Sequence, residues 1–296
     1  MQIEPFKDIV IYNEDCRDTM RRMIDENINV DIVVTSGPYD SIRSYNHSST
    51  WNFEVFKEIA KLLYEVTAEG GVVVWVVGDA TINGSETGTS FRQALYFMEC
   101  GFKLHDTMVF SKNSSSFPSS RKSKRYTQIF EYMFVFCKGK IKTGNLICDE
   151  KCKYAGFTNW GTNTQYNKEG ELIKTSNIKP VPEYKPRTNI WKYTVGFNIN
   201  EGKHPAVFPY ELARDHIITW SNEGDLVFDP FTGSGTTASA ALCNNRKFIG
   251  SEIDKTYFSF IPNNIQKRYE RCIKEKKKNE KKEKNISSNV IIKATI

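Results

Sequence analysis

Leu226-Val227-Phe228-Asp229-Pro230-Phe231-Thr232-Gly233-Ser234-Gly235-Thr236-Thr237 begins as an apolar run and closes that run with an acid. It then turns through two glycines into a stretch of small residues, Ala238, Ala240, Ala241 and Leu242. A strand, a tight loop and a helix start are expected, which is the architecture of a nucleotide-type cofactor site. Glycines let the backbone approach a ligand closely and adopt positive φ. The first N–H groups of the helix have no partner within it and face that ligand. A second strand, 247–252, carries Glu252 near its end. A carboxylate about 20 residues beyond a glycine loop is placed to accept hydrogen bonds from ribose hydroxyls.

The residues narrow the choice of ligand. No Lys-Ser or Lys-Thr follows Gly235, so nothing reaches for β- and γ-phosphates as a P-loop lysine does. Gly233 and Gly235 lack the third glycine of a dinucleotide fingerprint. Asp229 beside the loop repels a pyrophosphate and attracts an ammonium group. An adenosine ligand with a cationic amino-acid tail fits these three facts, and S-adenosylmethionine is such a molecule.

Upstream, residues 8–12 read as a short buried strand and 31–35 as a second. The second runs into Ser36-Gly37-Pro38-Tyr39. Together, DPFTGSGTT, the SEID stretch and SGPY resemble amino-group DNA methyltransferases, which methylate N4 of cytosine or N6 of adenine. The family writes its catalytic motif (D/N/S)PP(Y/F/W). The resemblance implies that Ser36 and the Gly37 carbonyl accept the two N–H groups of the target amine, pulling its nitrogen toward sp³. Tyr39 then stacks on a base flipped out of the duplex. It also implies that Asp15 lies beside the adenosine end of the cofactor, although Asp15 is equally placed to cap a helix over 17–27. Pro230, Phe231 and Thr236 belong to the cofactor motif. His204, in HPAVFP, resembles a segment that covers the methionine portion, or is an ordinary histidine in a turn.

Gly37 departs from the family's proline. Without a fixed φ, the loop is expected to be more mobile, and Gly37→Pro to keep or raise activity. Serine in the motif leans toward N4 of cytosine. The catalytic motif precedes the cofactor motif, which is the β arrangement of the family.

Strand and helix signals alternate along the rest of the chain. Helical spacing covers 51–67, ended by Gly70-Gly71, and also 91–100, 210–220 and 257–274. Continuous apolar runs at 72–77, 105–110 and 130–137 read as strands. The pattern predicts an α/β fold, a doubly wound, mostly parallel seven-stranded sheet of Rossmann-like methyltransferase type with an inserted target-recognition region. The expected organisation is a catalytic half over 1–137 and a target-recognition insert over 138–200. A cofactor-binding half over 201–273 and a charged tail over 274–296 complete it. The insert interleaves aromatics with basic residues, Arg187 among them. Residues 112–125, KNSSSFPSSRKSKR, form a basic loop in which Arg121, Lys122, Lys124 and Arg125 are placed to meet phosphates, as is Arg43, or to be solvated.

Lys+Arg 41 against Asp+Glu 35 gives a net charge of +6, compatible with double-stranded DNA as partner. The 7 cysteines show no CxxC pair, so reduced thiols in a cytoplasmic setting and no metal are expected. No apolar run approaches a membrane span. A carbon-5 cytosine enzyme of the same cofactor needs a cysteine nucleophile after proline, and no Pro-Cys pair exists here. No nuclease motif is visible, so a cognate restriction endonuclease would be another chain; a monomer and a homodimer both remain open. The competing readings are a methyltransferase acting on RNA or a protein amide, and a DNA-binding remnant weakened by Gly37.

Overall fold

The computed structural model describes residues 2–3, 6–38, 51–114, 124–158, 163–175, 179–195 and 209–293. The chain forms two compact units, one of residues 1–145 with 190–296 and one of residues 146–189.

The larger unit is built on one sheet. Its strands are β1 (Gln2–Ile3), β2 (Phe6–Tyr12), β3 (Val30–Ser36), β4 (Thr67–Val77), β7 (Lys103–Lys112), β8 (Phe130–Cys137), β13 (Ile190–Tyr193), β14 (Leu226–Asp229) and β15 (Lys247–Ser251). Among the described residues they lie in the order β1-β2-β15-β14-β3-β4-β8-β7-β13. The seven from β2 to β7 in this order are the expected sheet, and β1 and β13 extend its two edges. β2, β15, β14, β3 and β4 pair in parallel, β8 runs antiparallel between β4 and β7, and β13 is parallel to β7. The C-terminal ends of β2, β15, β14, β3, β4, β7 and β13 therefore share one edge of the sheet, and β8 begins there. Ligands of open α/β sheets bind at that edge.

Side chains of successive strand residues face opposite ways, and the core divides accordingly. Ile32 and Val34 of β3 and Val72, Val74 and Val76 of β4 pack in one cluster, with Leu212, Ala213, Ile217, Ala238, Ala241, Ile261 and Ile265. These come from helices α4 (Tyr210–Trp220), α5 (Thr236–Cys243) and α6 (Lys255–Lys293). Val33, Val73 and Trp75 face the other cluster, with Met20, Met23, Phe56, Ile59, Leu63 and Phe97. Those belong to α1 (Cys16–Asp25), α2 (Phe53–Val66) and α3 (Thr89–Glu99). Helices cover both faces, as in a doubly wound sheet.

Local chemistry sets the ends. Asn52 caps α2 by accepting from the amides of Glu54 and Val55. The helix ends at Val66, where Thr67 Oγ1 donates to the Leu63 carbonyl at 2.6 Å, and not at Gly70-Gly71. Those glycines lie inside β4, where Gly70 takes φ 78° and its amide bonds to the Lys138 carbonyl. α6 runs well past residue 274, and Asp254 starts it by accepting from the amides of Thr256 and Tyr257. A short hairpin, β5 (Thr81–Ile82) with β6 (Ser85–Glu86), follows β4. No helix among the described residues is long and apolar enough to cross a membrane.

The smaller unit is made of short antiparallel pairs. β9 (Glu150–Lys151) pairs with β12 (Tyr184–Lys185), and β10 (Asn163–Tyr166) pairs with β11 (Leu172–Thr175). At the turn of the second pair, Asn167 Oδ1 accepts from the amides of Glu169 and Glu171. The unit sits inside the expected insert 138–200, while residues 190–193 form the edge strand of the main sheet.

Candidate active site

β3 and β14 are parallel neighbours, with Val227 opposite Ile32 and Phe228 opposite Val33. Their ends therefore emerge side by side, one carrying Thr35 and Ser36 and the other Asp229. Asp229 is 1% exposed. Its Oδ1 accepts from Thr35 Oγ1 at 2.7 Å and from the Phe231 amide at 3.0 Å. Its Oδ2 accepts from Thr237 Oγ1 at 2.7 Å. Thus a single carboxylate ties the end of β3, the glycine loop and the first turn of α5. Burial pushes its pKa up to about 6, against the pull of those three donors, which favour the charged form. The expected attraction of Asp229 for a cationic tail thus has to act through its charge and the loop it shapes, since protein groups already occupy both oxygens.

The glycine loop follows the sequence expectation closely. Gly233 and Gly235 take φ 54° and 84°, a left-handed region that other residues adopt at a cost, and α5 begins at Thr236. Pro230 is buried and Phe231 half-buried. Glu252 Oε2 accepts from the Gly233 amide at 2.8 Å and Oε1 from the Asp254 amide at 2.9 Å. Burial raises the Glu252 pKa to about 7, with Asp254 and Asp229 adding repulsion. Gly250 lets the loop come close to β15, because a Cβ there would collide with Thr232 Oγ1 and lie 2.6 Å from the Phe248 ring. Beyond β2, Asn13 Nδ2 donates to the Glu252 carbonyl at 2.7 Å.

Asp15 is the N-cap of α1. It accepts from the Arg17 amide at 2.9 Å and from the Arg17 guanidinium at 2.7 Å and 3.0 Å, which holds its carboxyl below the ordinary value. The capping role is therefore on view, two strands away from β14 at the same sheet edge. His204 lies outside the described residues.

Ser36 ends β3, opposite Val76 of β4, and is partly exposed. Gly37 is buried and Pro38 half-buried; Tyr39 lies outside the described residues. The surroundings of Gly37 give glycine a further reason to stand there. Gly37 is not among the positive-φ glycines, so freedom of φ does not explain it. Space does: a Cβ would lie 2.8 Å from Trp75 Cζ2, 3.0 Å from Cη2 and 3.6 Å from Phe231 Cε2. A proline ring would add atoms to this contact, so Gly37→Pro is expected to lower activity. Trp51 and Trp75 both meet Phe231 edge-on, at 5.7 Å and 6.2 Å, and line this meeting of the two loops with aromatic rings.

Of the basic residues proposed for DNA, Arg43, Arg121 and Lys122 lie outside the described residues. Lys124 is exposed. Arg125 donates to the Gly84 carbonyl and lies 3.7 Å from Glu86. Arg187, in the smaller unit, makes a forked pair with Asp149, with bonds of 2.5 to 3.1 Å. Among the described residues no group of His, Cys, Asp and Glu could hold a metal ion, and all seven cysteines are free thiols.

Sequence reasoning missed Thr35, Thr237, Gly250, Trp75 and Gln93. Thr35 and Thr237 flank the two motifs directly, and a hydroxyl on each side of a buried acid was the available signal. Nothing local marked Trp75, whose place depends on packing across β3 and β4.

The sheet, with helices on both faces and an acid-and-glycine loop at its C-terminal edge, has the Rossmann-like fold of DNA methyltransferases. The model of the DNA methylase family matches residues 30–263, and the chain belongs to that family. It is a DNA methyltransferase of the amino-group class. It is 53% identical over 233 residues to the orphan methyltransferase M.BamHII of Bacillus amyloliquefaciens, covering 77% of this chain and 85% of that protein. It is 27% identical over 238 residues to the DNA adenine methyltransferase YhdJ of Escherichia coli (strain K12), covering 77% and 73%. Two solved structures share the fold. The M1.HpyAVI–SAM complex superposes with a TM-score of 0.58 at 24% identity over 87% of this chain and 98% of that one. The PvuII DNA methyltransferase (cytosine-N4-specific) gives 0.60 at 19% identity over 90% and 95%.

Proposed function

We propose that this chain methylates an exocyclic amine of a base flipped out of double-stranded DNA, at N4 of cytosine in preference to N6 of adenine. The Thr35–Asp229 hydrogen bond of 2.7 Å carries the reading, because it joins the strand end bearing Ser36 to the strand end bearing the glycine loop. S-adenosylmethionine is the cofactor, and when bound it supplies an electrophilic methyl group on a sulfonium sulfur. The residues present suit it: two buried carboxylates, positive-φ glycines, and no lysine in the loop to hold phosphates.

Ser36 Oγ and the Gly37 carbonyl accept the two N–H groups of the amine, which orients its lone pair toward the glycine loop. Tyr39 stacks on the base, and the Trp51–Phe231 pair forms apolar wall beside it. Glu252 exchanges its hold on the Gly233 amide for ribose hydroxyls, and His204 covers the amino-acid tail. Arg43, Arg121, Lys122, Lys124, Arg125 and Arg187 meet the DNA backbone, and residues 138–200 read the target sequence. Serine at position 36 is what favours cytosine. YhdJ, by its name an adenine enzyme, is among the relatives, which keeps the second base in contention. Seven free thiols fit a cytoplasmic enzyme, and similarity to an orphan methyltransferase favours work without a partner endonuclease.

Mass spectrometry of nucleosides from duplex DNA, treated with the protein and methyl-labelled S-adenosylmethionine, tests this. N4-methylcytosine is expected; N6-methyladenine moves the assignment to the other base; no labelled nucleoside overturns it. Ser36→Ala is expected to cut turnover by about a hundredfold or more while cofactor affinity is kept. Full turnover of that variant removes serine from the mechanism.

A further inference from the structure

We propose that Trp75 is a positioning residue for the catalytic loop, and that Gly37 and Trp75 are an obligate pair in which the indole occupies the space a side chain at 37 would need. The inference rests on the function proposed above, in which the Gly37 carbonyl is one of the two acceptors for the target amine.

Trp75 sits on β4, with Thr35 as its register partner on β3, and is 1% exposed. Its ring is fixed on every side. Nε1 donates to Gln93 Oε1 of α3 at 2.8 Å, a bond between two buried groups. Phe56, Phe97 and Phe231 meet it edge-on at 5.6, 5.2 and 6.2 Å. The outer atoms Cζ2 and Cη2 then lie within 3.0 Å of where a Cβ at position 37 would stand. Such an approach is well inside van der Waals contact, and a ring so held cannot swing aside. The backbone must give instead, carrying the Gly37 carbonyl and the neighbouring Ser36 with it. Phe231 of the glycine loop meets Trp75 edge-on and lies 3.6 Å from where that Cβ would stand, so the indole ring also bears on the spacing of the two loops. A shift of about 1 Å at a catalytic group is enough to cost about a hundredfold in rate.

The test compares the wild type, Gly37→Ala, Trp75→Phe and the double variant. Phenylalanine keeps an aromatic ring in the cluster and removes the outer atoms that meet position 37. Gly37→Ala should lower kcat for methyl transfer by about 10- to 100-fold, the cost of a misplaced acceptor. The Kd for S-adenosylmethionine should stay within about threefold, since the glycine loop itself is untouched. In the Trp75→Phe background, the same alanine should cost less than about threefold, a non-additivity expected only of groups in contact. Full activity of Gly37→Ala, or equal losses in both backgrounds, would overturn the pairing. Should Gly37→Ala fail to fold, circular dichroism and melting of the double variant decide: a folded double variant supports the contact and an unfolded one refutes it. Melting does not require DNA. A wild-type protein that binds cofactor but never methylates DNA would therefore refute the proposed function and leave the contact readable.

Discussion

The two loops that meet at the sheet edge both depend on glycine, and for opposite reasons. After β14, Gly233 and Gly235 are needed for their left-handed backbone; Asp229 and Glu252 accept from the Phe231 and Gly233 amides, and Asn264 of α6 donates to the Ser234 carbonyl, which fixes the loop around them. After β3, Gly37 has no unusual φ and is needed because Trp75 leaves it no room. Polar bonds dominate around the first loop, and the shape of an aromatic cluster around the second, with the Thr35 hydroxyl linking the two. The contrast predicts that the first loop will respond to charge and pH, and the second to volume.

Asp229→Ala is the harshest test of the polar loop. It removes the acceptor of the Thr35 hydroxyl and of the Phe231 amide and the nearer of two acceptors of the Thr237 hydroxyl, and should destabilise the protein by about 3 kcal/mol in urea unfolding. Cofactor affinity should fall at least about tenfold by calorimetry, since the loop loses its anchor. Unchanged cofactor binding would mean that the glycines alone shape the loop. Thr35→Val is milder and tells the two loops apart. It preserves volume and removes one hydrogen bond to a carboxylate, for a loss of about 1–2 kcal/mol in the same assay. Because Thr35 adjoins Ser36, kcat should fall more than cofactor affinity; the reverse split would place the bond's influence on the glycine loop.

Glu252→Gln should have the smallest effect and is read against pH. Burial raises the Glu252 pKa from the ordinary 4.5 to about 7. Its neutral form is the one the fold favours, so its contribution to stability is present below pH 4.5 and lost as pH rises through about 7. The melting temperature of the wild type without cofactor should therefore fall across that window. In Glu252→Gln the decline should be shallower by a few degrees, about what 1 kcal/mol produces in a domain of this size. Asp229, raised to about 6 by burial, leaves some slope in both proteins. Identical slopes would show that Glu252 does not carry this titration.

The same contrast explains what could be read from the chain alone. The doubly wound sheet was legible because β3, β4, β14 and β15 are short apolar runs separated by helices with a clear buried face. The polar loop was legible because its chemistry is local: an acid, two glycines and small residues within 226–242, with Glu252 close behind. The steric demand at Gly37 was not legible because it comes from 38 residues away, from a tryptophan brought beside it by strand pairing. The glycine pair at 70–71 was misread as a helix end for a similar cause. Gly70 serves the close packing of β4 against the segment after β8, where a Cβ would approach the Lys140 carbonyl to 2.9 Å, and a Cβ on Gly71 would lie 2.9 Å from the Ala68 carbonyl and 3.0 Å from that of Asp31. Asp229 stood out in the sequence as the acid that closes β14, but its three partners come from β3, the loop and α5, and only the fold assembles them.

The reversal of β8 between β4 and β7 has a consequence for how such a protein can change. It returns both ends of the segment spanning 113–129 to the edge where Ser36 and Asp229 lie, while Val72–Cys137 and Ser111–Phe130 remain fixed as cross-strand partners. Lengthening a connection of this kind costs little, roughly 0.6 kcal/mol for each doubling. The pairing of β7 with β8 should therefore survive an insertion between Lys112 and Phe130, so the sheet edge can gain chain length there without losing its frame.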